Sequence, residues 1–268
     1  KETNMKARFL TGLALAASLS LASFPALAKN ILVGVTPGPH EEVMEKVAEV
    51  IAKQSEHTIE IVAFSDYVIP NQALNDGDLD ANSFQHKPYL DAQAAARGYD
   101  LVVIGMNFLT PMGLYSEKYE DLDALPEGAT IAIPNDPTNG ARGLLVLQQA
   151  GLIKLDDSLG IDISIIDITE NPKNFRFIEL DAAQLPRALG DVDLASINTN
   201  YAIGAGLNPV ADSLAIEDPT GSPYANLVAV RRGDEDTDWA KALINAYHSD
   251  EVRQFIIDTY EGSVLPSF

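Results

Sequence analysis

Side chains suited to binding a small polar molecule follow several predicted strands. In open parallel sheets, ligands bind beyond the carboxyl ends of the strands, so residues at these positions are candidates for a binding site. The candidates are Tyr67, Phe84, His86, Tyr89, Arg142, Asn198 and Asn200. The aromatic members suit the wall of an apolar pocket with polar tips. Ordinary packing in loops and in the core is the alternative interpretation for them.

Arg142 carries the most specific chemical signal of this set. If Asn139 is the N-cap of the helix that follows the strand predicted at 130–133, Arg142 falls in the first helical turn. A cation is unfavourable there, because that end of a helix has free N–H groups and a positive dipole. The position becomes favourable if an anion is held by the N–H groups and the guanidinium together. The alternative is a salt bridge to a surface carboxylate, in which case Arg142 has no role in binding.

The sequence contains no signature of catalysis, and we predict no catalytic residue, no metal site and no cofactor. It lacks the Gly-x-Ser-x-Gly, His-Glu-x-x-His and Gly-x-x-x-x-Gly-Lys motifs. With four histidines and no cysteine it offers few ligands that could converge on a metal, so His86 is better explained as a structural histidine. Acidic pairs such as Asp156 and Asp157 lie in polar loops and are expected to be solvated.

Composition excludes several classes of protein. The chain has 268 residues, of which 46% are hydrophobic, as is usual for a water-soluble globular protein. It carries 18 Lys and Arg against 39 Asp and Glu, which gives a net charge of −21. Such an acidic surface repels phosphate, so nucleic acid is not an expected partner. The absence of cysteine excludes disulfides and thiolate nucleophiles from the chain as given.

The first 28 residues have the pattern of a secretory leader. Residues 1–4 precede Met5 and are interpreted as a cloning remnant. A basic start is followed by an uncharged stretch rich in Leu and Ala, which ends in Ala26-Leu27-Ala28. We predict a signal peptide at 5–28 that is cleaved before Lys29, and a periplasmic mature protein. An uncleaved membrane anchor is the alternative, since about 20 uncharged residues can span a bilayer.

Short strands and helices alternate through the rest of the chain, which favours βαβ units and mainly parallel sheets. The alternation occurs twice, before and after the extended stretch 111–116, and 219–223 is a second crossing point. We therefore predict an α/β protein with two lobes. Lobe I comprises 29–112 plus 222–268, and lobe II comprises 113–221. Two crossings between two lobes form a hinged cleft that can close around a small ligand.

At these same residues the sequence resembles the methionine-binding proteins of bacterial ABC importers, known as D-methionine-binding lipoproteins. The matching segments run through essentially the whole mature chain in the order that the family has them. They are FSDYVIPN (64–71), LDANSFQHKPYL (79–90), IPNDPTN (133–139) with Arg142, ENPKN (170–174), AQLPRAL (183–189), INTNYA (197–202) and SPYANL (222–227).

The resemblance implies a two-lobed periplasmic-binding-protein fold of type II, with the ligand in the cleft. It further implies a protein that captures L- or D-methionine and delivers it to the membrane permease of an ABC importer. Many members of the family carry a lipidated Cys at the cleavage site. This chain has no Cys at that site, so we do not expect a lipid anchor. We expect instead a freely diffusing periplasmic protein.

The resemblance also implies which residues bind methionine. The family encloses the methionine side chain with motif aromatics, which correspond here to Tyr67, Phe84 and Tyr89, with His86 beside them. The motif Arg, here Arg142, binds the ligand carboxylate. Motif amides bind the amino-acid head group, and they correspond to Asn198, Asn200 and Asn226.

Other functions remain open at this point. A related small amino acid or a methionine-containing dipeptide would suit the same cleft. A secreted small-molecule hydrolase or isomerase would use His40 or His86 with an Asp, and it would turn its substrate over instead of holding it. A metal-binding transport protein would need three or four convergent ligands, and the candidate loops offer too few.

Overall fold

The computed structural model describes residues 28–268. Residues 1–27, which hold all but the last residue of the predicted signal peptide, lie outside the described part. None of the helices within 28–268 has the length and apolar character needed to cross a bilayer.

Strands and helices alternate in the first part of the chain, as the hydrophobic pattern predicts. These elements are β1 (Asn30–Val35), α1 (Pro39–Gln54), β2 (Thr58–Ala63), α2 (Ile69–Asp76), β3 (Ala81–His86), α3 (Lys87–Arg97), β4 (Leu101–Met106) and β5 (Phe108–Leu109). All three helices carry Pro in the first turn, where its missing N–H leaves no hydrogen bond unmade. Helices α2 and α3 end at Gly77 and Gly98, which both adopt the left-handed conformation that glycine favours.

The second part repeats the alternation with shorter elements. They are β6 (Gly113–Tyr115), β7 (Thr130–Pro134), α4 (Pro137–Gln149), β8 (Lys154–Leu155), β9 (Ile168–Glu170), β10 (Arg176–Leu180), α5 (Leu185–Ala188), β11 (Leu194–Ile197), α6 (Thr199–Gly204) and β12 (Ala215–Ile216). A 3₁₀ turn at Ala182–Gln184 leads directly into α5. Helix α6 was not predicted, because six residues are too few to show a helical hydrophobic period.

The last part of the chain comprises one strand of the first sheet, two helices and a short closing strand. These are β13 (Asn226–Arg231), α7 (Asp238–Tyr247), α8 (Asp250–Tyr260) and β14 (Leu265–Pro266). Thr237 and Ser249 cap the two helices, because their hydroxyl oxygens accept backbone N–H groups of the first turn.

Two five-stranded sheets share one plan. The first has the order β2-β1-β3-β13-β4, and the second has the order β10-β7-β11-β6-β12. In each sheet the fourth strand is antiparallel to both neighbours, so the other four strands run in one direction. Four of the five strands in each sheet run in the same direction, as the prediction of mainly parallel sheets requires. The remaining strand is reversed, so each sheet is mixed.

Each sheet has its own hydrophobic core. Helices α1, α7 and α8 pack on the first sheet through residues such as Val47, Leu243 and Ile256. Helix α4 packs on the second sheet through Leu144 and Leu147. The strands of the first sheet all fall within 29–112 and 222–268, and those of the second within 113–221. The division into lobes at those boundaries stays a prediction.

Candidate functional site

One cavity lies between the two sheets, where loops and helices follow the carboxyl ends of β1, β3, β7 and β11. All eight residues singled out in the sequence line it: Tyr67, Phe84, His86, Tyr89, Arg142, Asn198, Asn200 and Asn226. The lining is completed by His40, Gln85, Thr110 and Asn139. The cavity is narrow, with about 20 Å³ of space for the centre of a water-sized sphere. Its position is the one that strand topology predicts for a ligand.

Aromatic rings form one wall of the cavity. The ring centroid of Tyr67 lies 6.0 Å from that of Phe84 and 6.1 Å from that of Tyr89, and Phe84 lies 6.2 Å from Tyr89 at a near-perpendicular angle. The hydroxyl of Tyr89 donates to the backbone oxygen of Tyr67 at 2.9 Å, which fixes the two rings together. Burial raises the pKa of both tyrosines, so both stay neutral near neutral pH. This wall suits an uncharged, polarizable side chain.

Arg142 occupies a different place in its helix from the one predicted. The N-cap of α4 is Asp136, whose carboxylate accepts the backbone N–H of Asn139 at 2.9 Å, and Pro137 is the first helical residue. Arg142 therefore lies in the second turn of α4, not in the first. Gly140 allows this turn to approach β7 closely, since a Cβ there would lie 2.8 Å from the backbone oxygen of Pro134. The guanidinium reaches the cavity from the helix side and not from its N-terminus.

The environment of Arg142 also corrects the expectation about its charge. Its side chain is only 2% exposed and is paired with the carboxylate of Glu217, which is itself buried. Its Nε lies 3.1 Å from both carboxylate oxygens of Glu217, and its Nη2 donates to Glu217 Oε2 and to the backbone oxygen of Thr110. The ring of Tyr224 lies 4.6 Å from the guanidinium carbon. A salt bridge is thus present, but its carboxylate is buried and not on the surface.

Two amide side chains, a histidine and a carboxylate connect the two sides of the cavity. The Nε2 of His86 lies 3.2 Å from Asn139 Oδ1, and Asn198 Nδ2 donates to that same oxygen at 2.8 Å. The Nδ2 of Asn139 in turn donates to both carboxylate oxygens of Asp136 at 2.9 and 3.1 Å. The cap of α4, the histidine at the end of β3 and the amide before α6 therefore form one hydrogen-bonded chain.

Several polar atoms around the cavity have no partner among the residues described. They are His40 Nε2, Asn198 Oδ1 and Asn200 Nδ2, all buried. The Nη1 of Arg142 likewise makes no hydrogen bond within the described part of the chain. An unpaired buried polar group is costly, so these atoms indicate a ligand that supplies both hydrogen-bond donors and acceptors.

The histidines do not have the partners that a hydrolase needs. His86 accepts the backbone N–H of Tyr89 through Nδ1 at 3.2 Å, which leaves Nε2 as the donor to Asn139. His40 pairs with the hydroxyl of Thr36 at 3.0 Å. Burial lowers the pKa of both to about 3, and Arg142 contributes to the shift at His86. Among the residues described, neither is hydrogen-bonded to an Asp, so the His–Asp arrangement expected of a hydrolase is not formed.

Contacts across the cleft close the cavity. The hydroxyl of Tyr67, before α2, donates to Asn200 Oδ1 in α6 at 2.6 Å. At the rim, the hydroxyl of Tyr201 donates to the backbone oxygen of Ser65 at 3.2 Å. Each bond joins a residue near the first sheet to one near the second. The two sides of the cleft are therefore in direct contact in this structure.

Five further residues shape the site, and the sequence did not assign them to ligand binding: His40, Gln85, Thr110, Asn139 and Glu217. The first four line the cavity, and Glu217 lies behind Arg142. His40, Gln85 and Asn139 stand inside segments that follow predicted strands, so their position was a usable signal. Thr110 and Glu217 lie just before the two chain crossings at 111–116 and 219–223, where no sequence pattern marks them. Within 28–268, no group of three or more His, Asp and Glu side chains is arranged to hold a metal ion.

Comparison with known proteins identifies similar chains. The model of the family described as NlpA lipoprotein matches residues 31–268. The D-methionine-binding lipoprotein MetQ of Escherichia coli (strain K12) is 46% identical over 238 residues, which cover 88% of each chain.

Solved structures of similar proteins have the same fold. A nutrient binding protein from Burkholderia cenocepacia bound to methionine is 50% identical, with a TM-score of 0.86 over 89% of this chain and all of that one. A periplasmic substrate-binding protein of an ABC transporter from Coxiella burnetii is 48% identical, with a TM-score of 0.85 over 88% of this chain and all of that one. The predicted periplasmic-binding-protein fold is thereby confirmed.

Proposed function

Because the chain belongs to the NlpA lipoprotein family, we propose that it is the substrate-binding protein of an ABC importer and that its ligand is methionine. Relatives at 46–50% identity carry the names of methionine-binding proteins. We infer that this chain likewise binds its ligand without turning it over.

The observation that carries this proposal is the chemical division of one closed cavity. Aromatic rings line one wall, whereas the guanidinium and the amides line the other. Methionine has the same division, with an apolar thioether side chain and a zwitterionic head group. A thioether sulfur in contact with aromatic rings gains about 0.3–1.5 kcal/mol per contact. The cavity therefore offers a favourable surface to each end of the ligand.

We assign the side chain of methionine to the wall formed by Tyr67, Phe84 and Tyr89, with His86 at its border. His86 is neutral at physiological pH, because burial lowers its pKa to about 3. It therefore adds ring surface to this wall without adding charge. A neutral, rigid wall favours uncharged side chains and excludes glutamate or lysine, whose charges would be buried without a partner.

We assign the head group to the opposite wall. The free Nη1 of Arg142 is placed to donate to the ligand carboxylate, and the unpaired Oδ1 of Asn198 is placed to accept from the ammonium. The unpaired Nδ2 of Asn200 offers a further donor. Asn226 lies on this side as well, where its Nδ2 donates to the hydroxyl of Thr110 at 3.3 Å. Binding would satisfy three polar groups that the described residues leave unpaired.

Calorimetric titration of ligand-stripped protein tests the proposal. We expect stoichiometric binding of methionine, weaker binding of norleucine, and still weaker binding of methionine sulfoxide, whose oxygen would be desolvated among aromatic rings. Native mass spectrometry of protein purified without added ligand should show the mass of methionine still bound. Equal affinity for glutamate and methionine, or consumption of the ligand, would contradict the proposal.

We propose export to the periplasm through cleavage before Lys29, and delivery of methionine to the permease of an importer. Relatives in this family are named lipoproteins, whereas we predict that this chain carries no lipid. Intact mass and N-terminal sequencing of protein from a periplasmic extract measure it directly. Lys29 as the first residue with no added lipid mass supports the proposal, and Met5 on membrane-bound protein contradicts it.

A further inference from the structure

Glu217 lies directly after β12, just before the second chain crossing. It contacts Met112 in the first crossing and Arg142 in α4. Its backbone N–H donates to the backbone oxygen of Met112 at 2.8 Å, and its Oε2 accepts the backbone N–H of Met112 at 3.0 Å. The same carboxylate pairs with Nε and Nη2 of Arg142. Glu217 is only 7% exposed, so this pairing is shielded from water. Glu217 therefore connects both crossings to the guanidinium of the proposed head-group site.

The charge of the cavity depends on this pairing. Arg142 is the only Lys or Arg among the residues that line the cavity, and burial keeps His40 and His86 neutral. Glu217 does not line the cavity, but its carboxylate contacts the guanidinium directly and offsets its charge. Asp136, the cap of α4, is the next carboxylate, and its oxygens are already taken up by Asn139 and Thr138. The head-group site thus presents a directional donor with almost no net positive charge.

We infer that Glu217 is a specificity-determining residue, which makes the site select a zwitterionic amino acid over an anion with the same side chain. This inference rests on the proposed binding of methionine. A ligand that has a carboxylate but no ammonium would bring its negative charge close to that of Glu217. In a zwitterionic ligand, the ammonium compensates the charge of Glu217. Charges a few ångströms apart interact strongly when water is excluded, so Glu217 discriminates without touching the ligand.

The test compares three ligands that share one side chain. Methionine is zwitterionic, 4-(methylthio)butanoate lacks the ammonium, and methioninol lacks the carboxylate. Calorimetry measures the affinity of wild-type protein and of Glu217→Gln for each. We expect Glu217→Gln to raise the affinity for 4-(methylthio)butanoate relative to methionine by at least about tenfold, and to lower the relative affinity for methioninol. Loss of affinity by the same factor for all three ligands would overturn the inference.

Two further variants separate charge from geometry. Ser222→Ala removes the hydroxyl that donates to Glu217 Oε1 at 3.3 Å, and Glu217→Asp keeps the charge on a shorter side chain. Both variants should bind the three ligands in the same order of affinity as wild type, even where the affinity for all three falls. A reversal of that order in either variant would show that geometry, not charge, selects the ligand. Should Glu217→Gln fail to fold, Glu217→Asp still tests the inference. Failure of wild-type protein to bind methionine would instead overturn the proposed function.

Discussion

Arg142 and Glu217 are each other's only charged partners within the described residues, and both are buried. Arg142 is among the largest fully buried side chains of the residues that the structure describes. Removing one member of a buried pair leaves the other charge without compensation.

We therefore expect Arg142→Ala to affect both folding and binding. Urea denaturation should show a loss of about 3–5 kcal/mol in the free energy of unfolding. The affinity for methionine should fall by about a hundredfold to several thousandfold. The double variant Arg142→Ala with Glu217→Gln removes the uncompensated charge, so it should recover much of the stability but not the affinity. A single variant as stable as wild type would show that the pair is not strongly coupled.

Arg142→Lys should bind methionine little better than Arg142→Ala, since an ammonium does not reproduce the forked contact of the guanidinium.

His40 and His86 make stability depend on pH in a definite direction. Burial lowers the pKa of both to about 3, whereas in the unfolded chain they take up protons near pH 6.5. The unfolded state therefore binds more protons between these values, and stability is complete above pH 6.5 and declines as pH falls toward 3. Each histidine should contribute about 1.4 kcal/mol per pH unit within that window. Urea denaturation from pH 7 to pH 4.5 measures this slope, and His40→Gln should reduce it. A slope unchanged by the substitution would contradict the assignment.

At the scale of elements, the start of α4 links helix stability to the site. The carboxylate of Asp136 caps the helix and also holds the side-chain amide of Asn139, which contacts His86 and Asn198. We expect Asp136→Ala to lower the free energy of unfolding by about 0.5–2 kcal/mol and also to weaken methionine binding. Ser249→Ala is the matched control, because it removes a cap from α8, which does not contribute to the cavity. It should lower stability by a similar amount and leave affinity unchanged. Equal affinity in both variants would show that the cap does not position Asn139.

Most elements were predictable because their signals are local. The alternation of strands and helices is visible in the apolar spacing, and Asp136-Pro137 is a recognisable helix start that was overlooked in favour of Asn139. The position of β13 between β3 and β4 was not predictable, since strand pairing between residues more than a hundred positions apart leaves no local pattern.

The motifs identified eight residues that the fold brings around one cavity. Glu217 escaped notice because it is one of 39 acidic residues, and nothing in its neighbours shows that it is buried.

At the scale of the whole molecule, two side-chain hydrogen bonds cross the cleft, from Tyr67 to Asn200 and from Tyr201 to Ser65. We expect Tyr67→Phe, which removes the 2.6 Å bond to Asn200, to favour the open form and to weaken methionine binding by about twofold to tenfold. Small-angle scattering with and without methionine follows closure, and calorimetry follows affinity. Tyr260→Phe is the matched control, because it removes an equally short bond, to Glu42, that joins α8 to α1 on the first sheet. It should leave closure and affinity unchanged. Identical closure in wild type and Tyr67→Phe would show that this bond does not hold the cleft.

The position of β13 also determines the order in which the two sheets can be completed during synthesis. When the ribosome has made the chain as far as Ile216, all five strands of the second sheet exist. The first sheet still lacks the strand that separates β3 from β4, and β4 has no partner strand in that sheet until β13 is made. The N-terminal half of the molecule is therefore completed last, through contacts distant in sequence that form slowly. If the chain is exported as proposed, late completion of the N-terminal sheet keeps the part of the polypeptide that enters the membrane first unfolded during its passage.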